Sequence, residues 1–133
     1  MKNNENDLPR TIMIAEDHDD TRFILARLFQ MSGHRIIEAA NGLEAINLAE
    51  RERPDSIIID LELPLLDGLS ATRRIRAHAS LRHIPIILIS GHDTVFHHKQ
   101  ARAAGCSAFV TKPFEFDELE SLIEQFSQDA VCA

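Results

Sequence analysis

No apolar run in this chain approaches the roughly 20 residues needed to cross a bilayer, and the opening Met-Lys-Asn-Asn-Glu-Asn-Asp lacks the apolar stretch of a secretory leader. A cytoplasmic protein with no membrane contact is therefore expected. Cysteine is scarce. Cys106 precedes an expected strand and Cys132 lies in the tail, which suits free thiols in a reducing compartment better than a disulfide. Positive charge is in deficit, 14 Lys and Arg against 21 Asp and Glu for a net charge of −7, so the basic face of a nucleic-acid backbone binder is missing. The same surplus suits a divalent cation or a basic patch on a partner protein. Internal repeats, low-complexity tracts and a linker to a second domain are not evident. A chain of 133 residues buries roughly 65–70% of the surface that its unfolded form exposes, enough for one unstapled domain. That domain is expected over residues 11–128, between a flexible segment 1–10 and a tail 129–133.

What is present is an alternation of short apolar runs and amphipathic segments. Thr11–Ala15 is a short apolar run ending in Glu16, Asp17, His18, Asp19 and Asp20. Asp19 or Asp20 can cap a helix over Thr21–Met31, with Ile24, Leu28 and Met31 on one face and Gly33 as its left-handed stop. Arg35–Ala39 reads as a second strand. Asn41 and Glu44 then form a capping box for a helix that buries Ala45, Leu48 and Ala49 and ends near Pro54. Ile57, Ile58 and Ile59 form a β-branched run too short for a helix, the pattern of a strand buried on both faces. Asp67 can cap a helix over Leu69–Ala79 that places Ala71, Ile75 and Ala79 inward, with Arg73, Arg74, Arg76 and Arg82 as a solvated basic patch. Ile84–Ile89 is a fourth strand. Asp93 can cap the next helix, which ends at Gly105 and offers little but Ala to the core, so it should be weakly anchored. Ala108–Val110 is a fifth strand, and Phe116, Leu119, Leu122, Ile123 and Phe126 make the core stripe of a last helix.

Five strands alternating with five helices through short loops predict an α/β domain, a parallel sheet with helices on both faces. In the strand order 2-1-3-4-5 the C-terminal ends of strands one, three, four and five are adjacent, and they carry Glu16 with Asp17, Asp60, Ser90 and Lys112. Four carboxylates fall within residues 16–20, and a helix start accounts for the last two alone. Like charges at about 4 Å repel by roughly 4 kcal/mol at an effective dielectric near 20, so three converging acids require a cation or a proton. Lys112 supplies one positive charge, and a divalent ion held by carboxylates, a backbone carbonyl and waters is the natural second. Such a nook suits a phosphoryl group, with Asp60 as the nucleophile that takes it as a mixed anhydride. The seven histidines form no evident ligand pair: His97 and His98 point to different helix faces, and His18 and His92 are loop residues near the site. Neither a histidine metal site nor a phosphohistidine is expected.

From Arg10 to Phe126 the chain resembles the receiver domains of two-component response regulators. The resemblance is carried by Glu16-Asp17, by the loop from Asp60 through Glu62 and Pro64 to Asp67-Gly68, by Ser90, and by Lys112-Pro113-Phe114. Spacing agrees too, with 30 positions from Asp60 to Ser90 and 22 from Ser90 to Lys112. It implies a flavodoxin-like, doubly wound five-stranded sheet, Asp60 as phosphoacceptor, and Mg²⁺ bound directly by Asp17, through water by Glu16, by Asp60 itself and by the carbonyl of Glu62. It further implies that Ser90 binds the phosphoryl oxygen and shifts, that Lys112 pairs with it through a Lys-Pro bond usually cis, and that Phe109 is the aromatic that turns inward on activation. Phe109 lacks the hydroxyl of the commoner Tyr, and Gly91 stands where Ala is frequent. Glu62 and His92 occupy variable positions that influence phosphate lifetime.

The function implied is that of a single-domain response regulator. It takes phosphate from a sensor histidine kinase or a histidine phosphotransfer protein and changes its affinity for a downstream protein through the face from the fourth to the fifth helix. Relay of the phosphate onward to a histidine is the other possible output, and the active form is either a monomer or a phosphorylation-dependent dimer. It is expected to act as a switch and not as an enzyme. The rival is a Mg²⁺-dependent phosphatase acting on small phosphate esters through phospho-Asp60, for which the chain offers no substrate-pocket insertion. A flavin carrier of similar fold would need a Ser/Thr/Gly-rich loop after strand one, where this chain has acids.

Overall fold

The computed structural model describes residues 9–91 and 95–132, with 127–132 described by backbone alone. Five strands, β1 (Thr11–Ala15), β2 (Arg35–Ala39), β3 (Ser56–Asp60), β4 (Ile86–Ser90) and β5 (Ala108–Thr111), alternate with α1 (Asp19–Met31), α2 (Gly42–Glu52), α3 (Gly68–Ala77), α4 (Val95–Ala104) and α5 (Phe116–Cys132). A turn of 3-10 helix, Ala79–Leu81, follows α3. All strands are parallel and lie in the order β2-β1-β3-β4-β5, as expected.

Every residue of β3 and β4 is buried, because helices cover both faces of the central strands. Alternation along β3 divides the core in two. Ile57 and Ile59 face α2, α3 and α4, packing with Ala45, Ala49, Ala71, Ile75 and Ala101. Ile58 faces α1 and α5, packing with Leu25, Phe29, Leu119 and Ile123. Phe29 and Phe116 meet edge to face with centroids 4.7 Å apart, which seats α1 against the start of α5.

Two caps follow the sequence closely. Asn41 accepts the Glu44 backbone N–H at 2.8 Å, while the Glu44 carboxylate reaches back to the N–H of Ala40. Asp67 accepts the Ser70 N–H. Gly33 has φ +97, the left-handed stop expected for it, and the Phe116, Leu119, Leu122 and Ile123 stripe packs inward.

Elsewhere the structure corrects the expectation. His18, and not Asp19 or Asp20, occupies the N-cap of α1, without a side-chain cap; both aspartates lie in the first turn. The buried face of α1 is Leu25, Ala26 and Phe29, because these pack on Ile58, Leu119 and Ile123, while Ile24 and Met31 fall on other sides of the helix and are exposed. Ile46 is buried with Ala45 and Ala49, and Leu48 only partly so. The third helix stops at Ala77 and Ala79 is exposed, Leu81 of the 3-10 turn filling the core instead. The fourth strand begins at Ile86, two residues later than expected. Arg76 does not belong to a solvated patch. Its guanidinium donates to the carbonyls of Gly105, Leu81 and Arg82, tying α3 to the turn before β5. The last helix continues through the residues expected as a tail, and the expected cap Asp93 lies outside the described residues, as does most of segment 1–10.

Candidate functional site

Strand β1 delivers Glu16 and Asp17. The Glu16 N–H donates to Ala39 O at 3.0 Å, prolonging the β1–β2 ladder by a residue and holding Glu16 4% exposed. Arg22, one turn into α1, donates to the Glu16 carbonyl at 2.7 Å and also to Asp19 and Glu38, so the end of β1 is pinned from the helix side. Strand β3 delivers Asp60, also 4% exposed. Its Oδ1 accepts the N–H of Glu62 at 2.9 Å. The loop turns back tightly because Gly68 lacks a side chain: a Cβ there would lie 2.3 Å from the Asp60 carbonyl oxygen.

Strands β4 and β5 complete the edge. Ser90 is fully buried and pairs in register with Thr111. The Lys112 N–H donates to the Ser90 carbonyl at 2.8 Å, and the Lys112-Pro113 bond is cis. From this anchorage the ammonium of Lys112 reaches Asp60 Oδ2 at 2.6 Å and lies 3.7 Å from Glu16 Oε1. One cation thus serves two buried acids.

The charges register this crowding. Burial, and next the neighbouring Asp60 carboxylate, push the Glu16 carboxyl above its ordinary range. Burial works against the Lys112 ammonium, but its hydrogen bond to Asp60 and the charges of Asp60, Glu16 and Glu62 outweigh that and hold it above the usual lysine range. His18 is raised by its hydrogen bond to Glu16, and then by the charges of Asp17 and Glu16.

Glu16, Asp60 and Lys112 are therefore in one nook, with Ser90 on the strand between. Glu62 is exposed, its N–H donating to Asp60 Oδ1 and its carboxylate charge felt by Lys112. Phe109 is not part of the acidic cluster. It packs toward α4, its ring 4.3 Å from that of His98, beside a groove of about 250 Å³ that Arg102, Cys106 and Ser107 also line. His92 lies outside the described residues. Two residues absent from the expected site also engage it: Arg22, and His18, whose Nδ1 is 3.0 Å from Glu16 Oε2 and 3.5 Å from Asp17 Oδ1. A basic residue one turn into a helix that follows an acidic strand end was the available signal for Arg22.

The nook fits a divalent ion. Asp17 Oδ1 is buried without a hydrogen-bond partner, and donors from Glu16, Asp17 and His18 lie within 4.8 Å of one another. An orphaned carboxylate oxygen is costly unless a cation meets it.

Comparisons with known proteins agree with this geometry. The chain is 33% identical over 123 residues to the polar-differentiation response regulator DivK of Brucella anthropi, covering 92% of this chain and 100% of that protein. The receiver domain of sensor histidine kinase PA1611 from Pseudomonas aeruginosa, solved with a magnesium ion coordinated in its active site cleft, superposes with a TM-score of 0.84 at 31% identity over 91% of this chain and 99% of that one. Vibrio cholerae CheY4, at 22% identity and covering 90% and 99% of the two chains, shares the fold with a TM-score of 0.84. A family model for the response regulator receiver domain matches residues 12–124. The chain belongs to the response regulator receiver domain family, and so to the proteins of two-component signalling.

Proposed function

We propose that this receiver domain accepts a phosphoryl group on Asp60 from a phosphohistidine donor, a sensor histidine kinase or a histidine phosphotransfer protein, and works as a switch and not as an enzyme on exogenous substrates. The observation that carries this reading is the Asp60 carboxylate, buried at the end of β3 and held between the Glu62 N–H and the Lys112 ammonium. Those two bonds fix the side chain, which lowers the entropic cost of attack. An oxygen of Asp60 forms a bond to phosphorus as the phosphorus–nitrogen bond of the donor imidazole breaks, and the imidazole leaves with its electron pair. Asp17, Glu16 and the carbonyl of Glu62 would hold Mg²⁺ beside Asp60. Bound there, the ion neutralises charge on the phosphoryl oxygens. Lys112 then exchanges its bond to Asp60 for one to the phosphoryl group, and the Ser90 hydroxyl donates to another of its oxygens.

Output is a change in affinity for a downstream protein on the face built by α4, β5 and α5. Two features support that choice. The fourth helix buries only Ala101 and Ala104 while Val95 and Phe96 are exposed, and Phe109 links this helix to the strand that leads to Lys112. Moving such a switch from mostly off to mostly on takes a differential of about 5.5 kcal/mol between its two states.

The test uses a phosphorylated histidine donor domain, with Mg²⁺ or EDTA. Transfer of one acid-labile phosphate, dependent on Mg²⁺ and lost in Asp60→Asn, is the expected result. Sustained turnover of small phosphate esters without a stable phosphoprotein would favour the phosphatase reading instead, and labelling that survives in Asp60→Asn would refute the proposed acceptor.

A further inference from the structure

We propose that His18 is a nitrogen ligand of the metal in this cleft, so that the domain favours Mn²⁺ and the later first-row divalent ions over Mg²⁺ more strongly than an all-oxygen site does. The proposal rests on the reading of the cleft as a metal site and goes beyond it, since an imidazole changes which ion the site takes.

Three observations carry it. First, His18 occupies the N-cap of α1 but makes no capping bond. The Ser, Thr, Asp or Asn common at that position turns forward to an N–H of the first helical turn. The ring of His18 instead turns back over the end of β1, where Nδ1 lies 3.0 Å from Glu16 Oε2 and 3.5 Å from Asp17 Oδ1. Second, these spacings, the shorter of which also serves as a hydrogen bond, match those of a coordination shell. In an octahedral site with metal–donor bonds of about 2.1 Å, neighbouring donors sit about 3.0 Å apart and opposite donors about 4.2 Å apart; the candidate donors of Glu16, Asp17 and His18 all fall within 4.8 Å. Third, Asp17 Oδ1 is buried and accepts no hydrogen bond. An ion pair alone would leave that oxygen unsatisfied, whereas an ion shared with His18 Nδ1 would satisfy it.

Donor chemistry then sets the selectivity. Mg²⁺ is a hard ion that takes oxygen donors and gives up its waters reluctantly. Imidazole nitrogen suits Mn²⁺ weakly, and Co²⁺, Ni²⁺ and Zn²⁺ increasingly. With the side chain of His18 73% exposed, the ring can approach an ion in the cleft without disturbing the core, and its substitution leaves the fold intact.

The experiment loads the full chain with one equivalent of Mn²⁺ and records its electron spin-echo envelope. Nitrogen modulation from a coordinated imidazole is expected in the wild type and lost in His18→Asn. That variant is expected to hold Ni²⁺ at least about tenfold more weakly, a loss that even groups orienting a ligand can produce, and Mn²⁺ more weakly by a smaller factor. Mg²⁺ is expected to bind the two proteins within about twofold of each other. No nitrogen modulation in the wild type, or modulation unchanged in His18→Asn, overturns the role of His18 while leaving the metal site standing if Mg²⁺ still binds. Failure of Mn²⁺ and Mg²⁺ to bind the wild type, or undiminished binding of both in Asp17→Asn, overturns the metal site itself and this proposal with it.

Discussion

Replacing Lys112 by Met tests whether one ammonium compensates two buried acids. Its Nζ lies 2.6 Å from Asp60 Oδ2 and 3.7 Å from Glu16 Oε1, attractions of about 6 and about 4 kcal/mol at an effective dielectric near 20, before desolvation is charged against them. The ammonium is a third exposed, at 34%, so water screens part of that attraction. Both carboxylates are almost fully buried and would be left facing each other. A net loss of about 3 kcal/mol is expected, the lower end for breaking a buried pair, and about 10–15 °C in melting temperature for a domain of this size. Urea unfolding at pH 7 in EDTA measures it, with no metal to mask the effect. The informative partner is Asp60→Asn, which removes one of the two stranded charges. In that background Lys112→Met should cost about 1 kcal/mol or less, because Glu16 is then the single acid left without its cation. If Lys112→Met costs less than about 0.5 kcal/mol, or costs the same with and without Asp60→Asn, the shared-cation account is refuted.

Two further perturbations reach the same site from different sides. Gly68→Ala would set a Cβ 2.3 Å from the Asp60 carbonyl oxygen and 2.9 Å from Leu61 Cα; both are backbone, so the start of α3 must move, at a cost of about 2–3 kcal/mol read in thermal melts, together with slower phosphorylation of Asp60. Because the Glu16 carboxyl is held above its ordinary 4.5 by burial and then by Asp60, the folded chain binds that proton more tightly than the unfolded one. Its stabilising contribution is full below about pH 4.5 and fades as pH rises through the folded value. Metal-free Glu16→Gln should therefore gain stability relative to wild type on going from pH 4 to pH 7, and should respond less to Mg²⁺; a difference that does not change with pH would contradict the cause assigned to the shift.

How far the sequence reached depended on whether a residue's partner lay nearby in the chain or across the fold. The strand triplet Ile57, Ile58 and Ile59 declared itself because β-branched residues buried on both faces have little other use, and Asn41 with Glu44 declared a cap because both partners lie within one turn. The acids and Lys112 were legible as a site because the strands that carry them end at the same edge in the doubly wound order 2-1-3-4-5. Arg76 was misread, since its acceptors at Gly105, Leu81 and Arg82 are set by tertiary packing and leave no periodic mark. The inner face of α1 was misplaced for a related reason: Leu25, Ala26 and Phe29 dock on the sheet while Ile24 and Met31 do not, and an apolar residue on the outside looks, in sequence, like one on the inside. The contacts of His18 left no mark at helical or strand spacing, because its partners are the two carboxylates immediately before it.

The central claim, that Asp60 itself receives the phosphoryl group, is tested most directly by treating the phosphorylated protein with borohydride and mapping the peptides by mass spectrometry. Reduction of an aspartyl phosphate leaves homoserine at the modified position, and homoserine at position 60 alone is the expected result. Homoserine at Asp17, the 5-hydroxynorvaline that a glutamyl phosphate would leave at Glu16 or Glu62, or a phosphate that resists borohydride, would contradict the claim.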